Sequence, residues 1–316
     1  MTRAPVRCCT GSLPRRAEGG FIIVAVLWIL AAVAALVLIY SVFTTNTVIS
    51  VAGSTDRVQD EASMTAAIEL AVQSILASGD DARPSRGSFS GRVGPAQISV
   101  SYVSEAARID LNAAPREMLA GLVMGFGVAD EDAATMADRI IGWRTPLKGA
   151  TEDDDPETTV YRNAGMAYLP RHAPFAHVEE LLLVAGLPRQ VALQMMPFVT
   201  VFNGKPSINI RDAEPQVIGA LPKMTPEKLQ NILSARDGRN ADPKALADMT
   251  GLGDDTVTLE ASRAFRMQID ITYRSGRKLK TEAVVLLIPD GAEPYRLLSR
   301  RDNIGTSAPR MAPRKG

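Results

Sequence analysis

"IDLNAAPREMLAGL" at residues 109–122 returns, altered but recognisable, as "INIRDAEPQVIGAL" at residues 208–221. The first copy leads into "ADRIIGWR" and, after a long gap, into "EELLLVAGL" ending at Leu187. The second leads into "LQNILSAR" and then "KALADMTGL" ending at Leu252. Both read as one succession: a strand end, a Pro in a first helical turn, a helix with paired apolar residues before Arg144 or Arg236, and a helix closed by Gly186 or Gly251. Pro is tolerated at a helix start because those amides have no intrahelical partner, and Gly just past an end can take the left-handed conformation that stops it. These residues therefore read as core and caps rather than as a catalytic constellation. Each unit is followed by a strand, "MPFVTVF" or "FRMQIDITYR", and the units differ mainly in a spacer that is long and acidic only in the first.

Upstream of the repeats, residues 54–78 carry Val58, Ala62, Ile68, Val72, Ile75 and Leu76 at helical spacing, which predicts an amphipathic stem. Gly79, Pro84, Gly87, Gly91, Gly94 and Pro95 predict a loop after it. "AQISVSYV" alternates as a strand and "ARIDLN" reads as a second. Downstream, residues 265–301 alternate as strands about a turn at Ser275 and Gly276, with a short third strand around Tyr295 to Leu298. The Pro-rich, basic end "DNIGTSAPRMAPRKG" has nothing to bury and is expected to be disordered.

At the other end lies "RRAEGGFIIVAVLWIL", residues 15–30. Phe21 to Phe43 contains no charge, and a helix of that length rises about 35 Å, enough to cross a bilayer core. Arg3, Arg7, Arg15 and Arg16 precede it and mark that end as cytoplasmic, which places the body from residue 46 on the far side. A secretory signal sets its small residues after the apolar run, whereas Gly19 and Gly20 stand before it. Both cysteines, Cys8 and Cys9, belong to the amino-terminal segment, so its removal would leave a chain without thiols.

Between residues 21 and 299 the chain has 26 basic and 33 acidic residues, a balance that weighs against a polyanionic partner. His172 and His177, the two histidines, are five apart and share no helical face. No G-x-S-x-G occurs, and "GFGVAD" and "GLGDDT" lack the third glycine of a dinucleotide fingerprint. Enzymatic activity is therefore not expected. "TEDDDPETTVYRN" gathers Glu152, Asp153 and Asp155 in the spacer of the first unit, either as oxygen ligands for a hard cation such as Ca²⁺ or as a solvated acidic loop.

"RRAEGG" followed by "FIIVAVLWIL" resembles the leader of type IV pilins and type II secretion pseudopilins. The resemblance implies cleavage after Gly20 by a prepilin peptidase and N-methylation of the new amino terminus, Phe21. Most members carry Glu five residues after the cut, where it pairs with the free amine of the subunit above; here that residue is Ala25. An apolar residue suits a subunit with no neighbour above it. "DLNAAP", "APFAHVEELLLVAGL" and "SINIRDAEP" are similar to the K-type minor pseudopilin family, over about residues 15 to 300. That family's fold is α+β, with a pilin-like long N-terminal helix packed on an antiparallel sheet and a large inserted, mainly helical domain.

The division this implies is a leader at 1–20, a transmembrane helix at 21–43 and a stem helix with first strands at 44–111. The inserted helical domain then takes 112–200, the second helical unit 201–264, the returning strands 265–300 and the tail 301–316. The implied role is a type II secretion minor pseudopilin in the cell inner membrane, single-pass, with its body periplasmic. It would cap the pseudopilus tip and prime its assembly for protein export. Implied partners are the I- and J-type minor pseudopilins, the peptidase, the inner-membrane secretion platform and exoprotein cargo. Calcium binding in the inserted domain is also a family property. Two other readings stay open: a minor type IV pilin, or a membrane-anchored helix-hairpin-helix-like DNA-binding protein suggested by "IDLNAAPREML" and "VAGLPRQVA".

Overall fold

The computed structural model describes residues 19–79, 83–147, 155–237, 242–289 and 291–302, and the side chains of all of these except 19–21 and 44–55. The chain divides into two units, Met1–Glu61 and Ala62–Gly316. The first consists, among the described residues, of the start of helix α1 (Gly19–Leu76). Within it Ile22–Phe43 has a mean hydropathy of 3.2 and none of its residues is buried. A soluble protein does not leave such a continuous apolar surface in water.

Nine strands are described in the second unit: β1 (Arg86–Val93), β2 (Ala96–Ser104), β3 (Ile109–Asp110), β4 (Val199–Thr200), β5 (Ile208–Asn209), β6 (Val257–Thr258), β7 (Ala264–Tyr273), β8 (Lys278–Leu287) and β9 (Tyr295–Asp302). Five form one antiparallel sheet in the order β1-β2-β7-β8-β9. The last turns of α1 lie on one face of it. Met64, Ala67, Ile68, Ala71, Val72 and Ile75, spaced three and four apart, are buried against Ile98 and Val100 of β2 and Phe265, Met267, Ile269 and Ile271 of β7. Ala62, expected on that face, is exposed.

Strand β1 replaces much of the expected loop. "RGSFSGRV" pairs with β2 without a break in register, and its first glycine is required by the packing: a Cβ on Gly87 would stand 2.3 Å from the Tyr102 hydroxyl. A glycine in an edge strand that admits a neighbouring ring is a known use of the residue.

Between β2 and β7, which are hydrogen-bonded neighbours, the chain makes a long helical excursion with its own core. Its helices are α2 (Arg116–Met124), α3 (Asp130–Arg144), α4 (Pro156–Asn163), α5 (Arg189–Met195), α6 (Pro215–Gly219), α7 (Pro226–Arg236) and α8 (Pro243–Thr250). Pro begins α4, α6, α7 and α8, and Asp155, Thr225 and Asp242 cap three of them through their side chains. In the first sequence repeat the parallel pair β3–β4 encloses the helices; in the second repeat, β5–β6 does. A parallel pair requires such a crossover, so each repeat is closed by its own short ladder.

Two helical segments also differ from expectation. "VEELLL" is a 3₁₀ segment rather than an α-helix; its buried residues, Val178 and Leu181, are three apart, matching the tighter repeat. Helix α4 also falls within a stretch expected to be a loop. Gly186 and Gly251 both have positive φ, 76° and 68°, as helix-stopping glycines should.

Candidate functional site

The excursion leaves the sheet at Ser104 and returns at Ser262, and the two serines are tied together. The Ser262 amide donates to Ser104 Oγ at 2.8 Å, and the hydroxyls lie 3.0 Å apart. Next to this stem Glu105 is completely buried. Arg266 of β7 donates to it from Nε at 2.8 Å and from Nη2 at 3.2 Å, and reaches Glu282 of β8 from Nη1 at 2.7 Å. The hydroxyl of Thr200, on β4, donates to the same carboxylate. Arg108 adds a longer contact at 3.4 Å and donates from Nε to the Pro197 carbonyl at 3.1 Å.

One carboxylate thus joins the sheet to the first helical unit. Burial pushes the Glu105 carboxyl up, but Arg266, Arg108 and the Thr200 hydroxyl outweigh it and hold it below the usual glutamate range. A buried charge paired on several sides fixes the orientation of what it joins, because removing either sign strands the other.

Within each unit the arginine before the helix end turns back to the first turn. Arg144 donates to the Leu111 carbonyl and, at 2.7 Å, to that of Ala114. Arg236 donates at 2.7 Å to the Ala213 carbonyl, the repeat counterpart of Ala114. The two units also meet at counterpart positions: a Cβ on Gly121 would lie 2.5 Å from the Ala220 carbonyl oxygen. The repeat is therefore a duplication whose halves pack helix α2 against α6.

Gly20 and Phe21 lie in the helical backbone of α1, with side chains outside the described set. Ala25 is described, between the exposed Val24 and Val26. Glu152 and Asp153 lie outside the described residues; Asp155 caps α4, accepting from the Thr158 amide at 2.6 Å and standing 3.4 Å from His172 Nε2. Burial opposes its ionisation, yet the Thr158 donors and His172 hold it below the ordinary aspartate range. Its neighbours are N–H and O–H donors rather than oxygen ligands, so the described part of the acidic set does not form a calcium cage. Among the described residues no three carboxylate, imidazole or thiol side chains gather to hold a metal. His172 instead links Thr158 Oγ1 at 3.2 Å to the Thr145 carbonyl at 3.1 Å.

Residues 100–204 match the family model described as type II secretion system (T2SS), protein K. That third of the chain is similar to protein K. A solved structure with a similar fold is a chain of the GspK-GspI-GspJ complex from the type 2 secretion system of enterotoxigenic Escherichia coli. It is 16% identical, with a TM-score of 0.55, and the match covers 79% of this chain and 98% of that one. At that identity the likeness establishes the fold. No curated protein matches the chain.

The protein K match begins in β2 and ends just past β4, so it takes in the whole Glu105 junction except Arg266 and Glu282. Sequence reading did not single out this cluster. Its only local signal is a lone Glu between an alternating strand and two alanines, in "YVSEAARID".

Proposed function

We propose that this chain belongs to the protein K family and is a minor pseudopilin that caps the tip of a type II secretion pseudopilus and primes its assembly, in company with I- and J-type subunits. The single observation that carries the reading is the excursion between two neighbouring strands. A pilin-like helix and sheet that must also carry a rigidly clamped helical body at one point is suited to the end of a filament, where bulk is not buried between subunits. Two features agree with it. Helix α1 begins with a membrane-grade segment, and Ala25 lacks the carboxylate that a subunit with a neighbour above would need. The chain crosses the inner membrane once with its arginine-rich end in the cytoplasm and its body in the periplasm.

Processing tests the reading. The intact mass of the protein purified from its own membranes should correspond to a chain beginning at N-methylated Phe21, and Gly20→Asp should retain the leader. A wild-type mass that includes residues 1–20, or a Gly20→Asp protein cut at the same place, would contradict it.

A further inference from the structure

The two edges of the five-stranded sheet are built differently. Strand β9 is blunted: a register shift at Val284/Val285 interrupts its pairing, and Arg296, Arg300, Arg301 and Asp302 stud it. Bulges and charges are the devices that keep an edge from pairing with other chains. Strand β1 has neither device along its centre. Its register with β2 is unbroken over eight residues, it contains no proline, and Gly87, Ser88, Ser90 and Gly91 surround Phe89. Among the described residues its other side has no strand partner.

The alternation of an antiparallel ladder says which groups are available. The Ser104 amide donates to the Ser85 carbonyl, so the odd-numbered residues turn their backbone groups toward β2. Arg86, Ser88, Ser90 and Arg92 therefore turn theirs outward. All four side chains are exposed, whereas Phe89 and Val93, on the face toward α1, are half-buried. A cleft of about 1100 Å³ beside the start of β1 is lined by Arg83, Arg86, Lys205, Arg211 and Arg263 against the single carboxylate of Glu260. Asp212 offsets part of this charge, at 3.6 Å from Arg86 Nε.

We propose that β1 is a strand-addition site for an extended acidic segment of another protein. The incoming strand would exchange main-chain hydrogen bonds with Arg86, Ser88, Ser90 and Arg92, the mode in which backbone supplies affinity and alternate side chains supply specificity. Carboxylates would face Arg86 and Arg92, six residues apart, with small hydroxyl residues between them. The intervening residues would be apolar and cover Phe89 and Val93. A second copy of β1 is the wrong occupant, because pairing it antiparallel brings Arg86 and Arg92 of one strand toward those of the other.

The test uses the full chain in detergent micelles and the capped peptide Glu-Val-Thr-Val-Thr-Val-Glu, with a Lys-ended version as its opposite. Binding of the Glu-ended peptide should slow hydrogen exchange at the amides of Ser88, Ser90 and Arg92 but not of Gly87, Phe89 and Gly91. Ser88→Pro, which removes one outward N–H and no bond to β2, should weaken binding at least tenfold. Arg86→Glu together with Arg92→Glu should reverse the preference between the two peptides, which keeps the test independent of how well the proline variant folds. Equal binding of both peptides, protection without alternation, or self-association through β1 would overturn the proposal. None of these outcomes depends on leader processing, so the tip reading and this one can fail separately.

Discussion

Replacing Glu105 by Gln keeps the shape of the side chain and removes its charge. In the wild-type protein the buried carboxylate takes two hydrogen bonds from Arg266, one from the Thr200 hydroxyl and a longer one from Arg108. Breaking a buried pair by removing one partner costs about 3–5 kcal/mol. Arg266 keeps Glu282 at 2.7 Å, so the lower end applies, about 3 kcal/mol. For a body of this size that corresponds to a melting temperature lower by about 6–12 °C. The dependence on pH has a definite sign. Because Glu105 is held below the ordinary glutamate range, its contribution is present in full above that range and is lost as pH falls through its folded-state value. The difference between wild type and Glu105→Gln should therefore be constant near neutrality and shrink in acid. Urea unfolding of the micelle-bound full chain, followed by far-UV circular dichroism from pH 7 to pH 3, measures both. A difference below about 0.5 kcal/mol at pH 7, the scale of an ordinary surface change, would refute the idea that this carboxylate clamps insertion to sheet.

Gly121→Ala should destabilise the protein by about 1–3 kcal/mol by forcing the repeat halves apart, since the new Cβ would meet the Ala220 carbonyl oxygen at 2.5 Å. Gly219→Ala, whose Cβ would sit 3.6 Å from Leu229 Cδ2, should instead be neutral or stabilising by up to about 1 kcal/mol; the two denaturation midpoints should move in different ways. Arg144→Met strands two buried carbonyls and should cost about 3 kcal/mol, while Arg236→Met strands the one it bonds and should cost about half as much, by the same assay.

What the sequence made legible was whatever local chemistry punctuates. The duplicated units were readable because Pro at a helix start and Gly past a helix end act on their own few residues, and "AQISVSYV" because its alternation matches the pleat. Strand β1 was hidden because "RGSFSGRV" alternates with glycine in place of apolar residues, and the reason for Gly87, the ring of Tyr102, lies across the sheet. Helix α4 did carry its own start signal, Asp155 before Pro156, but the acidic run ahead of it invited a reading as a loop. The Glu105–Arg266 pair joins residues 161 apart; no spacing rule selects such a partner, because only the placement of β2 beside β7 brings them together. Glu152 and Asp153 fall outside the described residues, and Asp155 serves as a helix cap.

The central claim, that this chain stands at the tip of a multi-subunit pseudopilus, is tested most directly by its stoichiometry. Native mass spectrometry of the full chain, tagged at its carboxyl terminus and extracted from its own membranes in mild detergent, should show one copy bound to one I-type and one J-type pseudopilin. A chain recovered alone or polymerised with copies of itself, from membranes that contain both partners, would contradict the account.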